Sequence, residues 1–192
     1  WTQLGSDIEG GVVGDNIGYS VYLSTDSQRV AIGACYSDGN GADSGHVRVY
    51  EFDSGSGIWT QLGSDIEGEA EGDLSGGSVS LSFDGSRVAI GAPYNSGNGD
   101  GSGHARVYKF NSVTRSWTRL GLDIDGEATN SRSGYSVSLN SEGDQVAIGA
   151  PYNDGNGTDS GHVRIYDYDS GSDTWTQVGL DIDGEAADDL SG

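Results

Sequence analysis

The sequence predicts an all-β protein of tandem four-stranded antiparallel blades of β-propeller type, about three blades plus a partial repeat, open or completed by other copies. Three observations carry that class. Trp1, Trp59, Trp117 and Trp175 recur every 58 residues, and His46, His104 and His162 keep the same spacing. Each copy alternates apolar with small or polar residues, the period of a strand and not of a helix. Glycine supplies 34 of the 192 residues and punctuates these runs at turns, while proline supplies only 2. Units repeated in this way cannot bury their apolar faces alone and need neighbours.

In the second copy the elements follow in order. "GSVSLSF" (77–83) alternates Val79 and Leu81 with serines, and Asp84-Gly85-Ser86 is a hairpin turn of the Asp-Gly kind. "RVAIGA" (87–92) sets Val88 and Ile90 on one face and the small Ala89 and Gly91 on the other. Beyond an Asn/Gly/Asp loop, "HARVYKF" (104–110) alternates again, and a turn leads into "WTRLGLDI" (117–124) as the fourth strand. Pro93 and Pro151 stand at strand ends, where a missing donor does little harm. Small side chains on one face let neighbouring sheets approach. The repeats run 1–58, 59–116 and 117–174, with 175–192 opening a fourth.

The charge balance is −21, from 9 basic against 30 acidic residues. Such a field repels nucleic acid and anionic membrane surfaces and attracts cations. No apolar run approaches the roughly 18 residues of a membrane span, so no membrane insertion is expected. Cys35 is the lone cysteine and cannot form an internal disulfide; it stands where Pro93 and Pro151 stand in the later copies. The start at Trp1 leads us to expect a processed product or a piece of something longer.

At "VAIGAPY" followed by "SGHVRIY" the chain resembles the FG-GAP repeat family, the blades of integrin-α-type propellers. The matching residues are Gly91-Ala92-Pro93 and Gly149-Ala150-Pro151, with Gly33-Ala34 followed by Cys35, and then 45–50 and 161–166. Two departures stand out. Ile17-Gly18, Ser75-Gly76 and Ser133-Gly134 replace the family's Phe-Gly pair, and "TDSQR", "FDGSR" and "SEGDQ" replace the calcium loop that many members carry between the first two strands. The family's calcium site therefore does not carry over.

A different loop offers candidate metal ligands: Asp38, Asn40 and Asp43, then Asn98 and Asp100, then Asp154, Asn156 and Asp159. Calcium takes such oxygens, so Ca2+ is the one cofactor these loops suggest. Asn, Asp and Gly are equally the residues of turns, and the turn reading is favoured over the cation site. Acidic runs at 65–73 and 181–189, with Asp7, Asp65, Asp123 and Asp181 at the repeat period, read as solvated linkers that could hold cations. The three histidines have no close second ligand in sequence and read as structural; Arg48, Arg106 and Arg164 are expected to pair with the acidic loops. Asn156-Gly157-Thr158 is the one glycosylation sequon among these loops, making Asn156 a candidate.

No nucleophile elbow, Cys–His pair or P-loop is present, and paired carboxylates recur in every copy, so no catalytic residue and no enzyme is expected. A closed ring takes about 4–8 blades. Three repeats therefore lead to an expectation of further blades: a longer array, or copies of itself. The resulting expectation is a non-enzymatic extracellular or cell-surface repeat protein with a structural or adhesive role. Its alternative is a secreted propeller that binds an extracellular protein or a glycan.

Overall fold

A computed structural model describes residues 1–192, and every regular element in it is a strand. Three antiparallel sheets follow one another along the chain. The first holds β1 (Ser20–Leu23), β2 (Arg29–Ala34), β3 (His46–Asp53) and β4 (Ile58–Gln61), with β5 (Ile66–Glu67) pairing with the start of β3. The second holds β6 (Ser78–Leu81), β7 (Arg87–Ala92), β8 (His104–Asn111) and β9 (Ser116–Asp125). The third repeats the first with β10 (Ser136–Leu139), β11 (Gln145–Ala150), β12 (His162–Asp169), β13 (Thr174–Gln177) and β14 (Ile182–Asp183). These are propeller-type blades, and the three do not close into a ring.

Strand alternation decides which side chains meet. Ala31, Val47, Val49, Leu62 and Ile66 of the first blade pack against Val79, Leu81, Val88, Ile90 and Phe110 of the second. Ala89, Ala105, Val107 and Ile124 make the same seam with Leu139, Val146 and Ile148 of the third. Burying each such Val, Leu or Ile is worth roughly 1.5–3 kcal/mol, so the seams hold the array. The middle blade is covered on both faces. The outer two are not, and Val21, Leu23 and Ile182 lie open where their counterparts are buried.

Two devices set the blade spacing. Trp59, Trp117 and Trp175 each donate their indole N–H to a backbone carbonyl of the preceding unit, at Leu4, Leu62 and Leu120 (3.0, 2.7 and 2.9 Å). Gly91 lies so close to the incoming linker that a Cβ there would stand 1.9 Å from the Gly134 oxygen. The hairpin at 82–87 closes through Gly85 N–H to the Ser82 carbonyl, with Gly85 at φ +62° and Asp84 N-terminal to it on the ordinary side. It is thus a longer turn with one left-handed residue, not a two-residue hairpin.

Candidate functional site at the seam of the first two blades

The fourth strand does not run straight. Opposite Arg106 the register between β8 and β9 slips, and Gly121 takes a left-handed φ of +68°. A bulge re-aims the side chain beside it. Here the result is that Asp123 meets Arg106 end to end, with Nε to Oδ1 and Nη2 to Oδ2 both at 2.7 Å. Arg119 adds a bond from Nη1 to Oδ1 at 2.6 Å.

The linker leaving the first blade then crosses the same face. Its Glu69 Oε2 lies 2.5 Å from Arg106 Nη2. Further along, Asp73 is only 3% exposed and accepts bonds from the Ala70 N–H and the Asn95 side-chain amide, both at 3.0 Å. Asp125 sits directly across the sheet from His104. Ligand atoms of Glu69, His104 and Asp123 all lie within 4.8 Å of one another. Nδ1 of His104 is sealed from solvent and has no hydrogen-bond partner.

Protonation follows from these neighbours. Burial, and after it the Arg106 charge, push the His104 pKa below its ordinary value, so the ring is neutral. Burial works against ionisation of Asp123, but the Arg106 bonds outweigh it and the carboxyl lies below the usual range. Asp125 goes the other way: burial raises it, and the Asp123 and Glu69 charges add to the rise against the pull of His104 and Arg106. Arg106, which burial alone would weaken as a base, is held above its ordinary value by Asp123 and Glu69.

The copies differ in an informative way. In the third blade Arg164 bonds Asp181 through Nε and Nη2 (2.9 and 2.7 Å) and pairs with Glu127, and Glu127, His162 and Asp181 again cluster within 4.8 Å. In the first blade Gly11 stands where the glutamate would be, Arg48 pairs with Asp65 alone, and His46 Nδ1 is bonded to Ser37 Oγ at 2.6 Å. The position of Asp73 is Ser131 in the next linker. Four carboxylates therefore surround His104, where His162 meets three. The symmetry of the repeat breaks at this seam. β9 carries Asp123 and Asp125 past a hollow of about 300 Å3 that Tyr166, Thr174 and Trp175 of the third blade also line.

The sequence-derived candidates lie elsewhere. Asp38 and Asp154 accept the Asp43 and Asp159 N–H groups across their own loops (2.9 Å each), and Asp43 and Asp159 adopt φ of +54° and +50°. Asn40, Asn98 and Asn156 donate their amides to the carbonyls of Gly68, Gly126 and Gly184 in the linkers (2.8, 2.8 and 2.9 Å). The Asp100 carbonyl accepts the Asn130 N–H at 2.8 Å. These residues are not drawn into the His104 cluster. One expectation needs correction. His104 and His162 do have close acidic neighbours, which arrive from the fourth strand and the linker instead of the adjacent sequence. The arginines pair with those same acidic groups of the fourth strand and linker. The Gly11, Glu69, Glu127 column was the signal that could have found them.

No family model and no curated protein matches the chain. Among solved structures it is similar to a protein described as a 6-phosphogluconolactonase from Bacteroides fragilis, with a TM-score of 0.59 at 12% identity over 88% of this chain and 40% of that one. A second protein so described, from Bacteroides uniformis, gives 0.57 at 11% identity over 89% and 40%. The periplasmic gluconolactonase of Pseudomonas aeruginosa gives 0.51 at 15% over 83% and 44%. The likeness is one of fold, and the chain spans about 40% of the length of the first two proteins. It nevertheless corrects the expectation of a non-enzymatic structural or adhesive protein, and of a binding module as its alternative. Propellers of this build carry enzyme names, so neither the blade repeat nor the missing nucleophile motifs argue against catalysis.

Proposed function

We propose that these blades belong to a propeller hydrolase that opens an uncharged cyclic ester of a sugar, with Asp125 and its neighbours at the first seam as the reacting groups. The observation that carries this reading is the pair Asp123 and Asp125. They stand two residues apart on one strand, and their surroundings push their carboxyl groups in opposite directions. Such separation assigns different roles to two like groups. Asp125, the stronger base, takes a proton from water as its oxygen attacks the ester carbonyl. Arg119, half exposed beside Asp123, offers positive charge to the developing oxyanion. The ring C–O bond then breaks, and the proton passes to the departing alkoxide to give a hydroxy acid. Tyr166 and Trp175 give the adjacent hollow aromatic walls suited to the faces of a sugar ring.

Two facts support the substrate class. Three of the solved structures that share the fold are named as lactonases. The net charge of −21 disfavours a phosphorylated substrate and leaves an uncharged one unpenalised. The test is release of acid from D-glucono-1,5-lactone, measured above the spontaneous rate. Asp125→Asn should lower the enzymatic rate by about a hundredfold or more, as loss of a general base does. Equal rates for the two proteins would refute the assignment.

A further inference from the structure

We infer that Glu69, His104 and Asp123 hold a divalent transition-metal ion, and that Glu127, His162 and Asp181 hold a second one. The ligand sets carry this inference; it shares Asp123 with the hydrolase reading, and its test reads bound metal instead of lactone opening.

The distances fit. An ion about 2.0–2.2 Å from each of three ligands places those atoms roughly 3–4 Å apart. In both clusters the offered atoms lie within 4.8 Å of one another, and His162 Nδ1 stands 3.9 Å from Asp181 Oδ2. Small side-chain movements close the remainder.

The independent sign of a ligand is the orphaned nitrogen. His104 and His162 are 3% and 4% exposed, and Nδ1 of each is shut off from water without a partner. Buried polar atoms are almost always bonded, and a lone pair left in this way is what a metal takes. The first blade supplies the internal contrast. There Ser37 occupies His46 Nδ1, the nitrogen left buried without a partner is Nε2 instead, and Gly11 replaces the glutamate. Within this one chain, the unbonded Nδ1 and the linker glutamate occur together or not at all.

Charge agrees. Glu69, Asp73, Asp123 and Asp125 against Arg106 and Arg119 leave two negative charges around His104. Glu127, Asp181 and Asp183 against Arg164 leave two around His162. Each cluster needs one divalent cation for neutrality. Arg106 Nη2 bonds both Glu69 and Asp123, and Arg164 Nη2 bonds both Glu127 and Asp181, so an entering ion takes over these two contacts while the remaining arginine bonds to Asp123 and Asp181 keep those carboxylates oriented. One imidazole nitrogen with two carboxylates suits Zn2+, Co2+ or Mn2+ over the all-oxygen preference of Ca2+ and Mg2+.

The experiment takes the full chain, strips it with chelator, and titrates it with Co2+ and Zn2+ by calorimetry, with metal content measured after dialysis. Two ions per chain are expected, with one left in Glu69→Gln, one in Glu127→Gln and none in the double variant. These glutamates are half exposed, so the variants fold; His46→Ala should keep both ions. The Co2+ visible absorption should fall by half in each single variant. No retained metal, a stoichiometry indifferent to the two glutamates, or Ca2+ binding as tightly as Zn2+ would overturn the inference.

Discussion

Replacing Leu81 by alanine and, separately, Leu23 by alanine compares one repeat position in two settings. Leu81 is 2% exposed in the seam between the first two blades, whereas Leu23 on the open face of the first blade is 51% exposed. Removing the buried side chain forfeits its transfer energy and leaves a cavity, about 2.7–5 kcal/mol in all. At Leu23 half of the side chain already meets water and no closed cavity forms, so about 1 kcal/mol is lost. For a chain of this size about 1 kcal/mol moves the melting temperature by roughly 2–4 °C. The melting temperature followed by circular dichroism should therefore fall by roughly 5–20 °C for L81A and by about 2–4 °C for L23A. Equal shifts would mean that blade-to-blade burial does not hold the array, and the seam with its site would lose its physical basis.

Three further outcomes follow from the same geometry. Gly91→Ala drives a Cβ to within 1.9 Å of a backbone oxygen and should cost about 3 kcal/mol, readable as a lower urea midpoint; an unchanged midpoint would show that the linker can move aside. On acidification, stability should fall in two stages. Burial, then Arg48, hold His46 below its ordinary pKa, so the unfolded chain takes that proton first and stability drops as pH falls below about 6.5. Asp65 is pushed up by burial but pulled further down by bonds from Arg48 and Gln61, so its contribution is complete above about pH 3.9 and lost as pH falls through its folded-state value. His104 and His162 are depressed by burial as well, so His46→Gln should lessen the upper stage of a melting-temperature curve without abolishing it, and an identical curve would refute the assignment. Cys35 is 1% exposed, with burial raising its thiol to about 11, so thiol reagents should modify it only in denaturant; rapid labelling of the native chain would contradict this.

Much of the fold was legible because strand alternation and turn residues are local. "RVAIGA" fixes β7 residue for residue, and the tryptophan period marks the fourth strands. The site was not legible in the same way. Glu69 lies 35 residues before His104, and only the twist of a linker across a sheet face brings them together. The bulge at Gly121 hides the pairing of Asp123 with Arg106, since it shifts the register that simple alternation assumes. The Asn/Asp/Gly loops drew attention by their composition; Asp38 and Asp154 bond within their own turns, and Asn40, Asn98 and Asn156 bond to the linkers. What could have been read was one column in which the copies disagree, Gly11 against Glu69 and Glu127.

That column bears on where the polypeptide can be cut. Glu69 is joined covalently to one blade and by charge to the next. A nick in an exposed hairpin such as 54–57 severs no tie of this kind, and circular permutants opened there should assemble normally. A nick at 68–72 leaves both leaflets and their buried seam whole but sets the carboxylate on a loose end, weakening the charge tie between neighbours. The array is thus best divided through its sheets' outer turns and not between them, the reverse of the usual rule for modular chains.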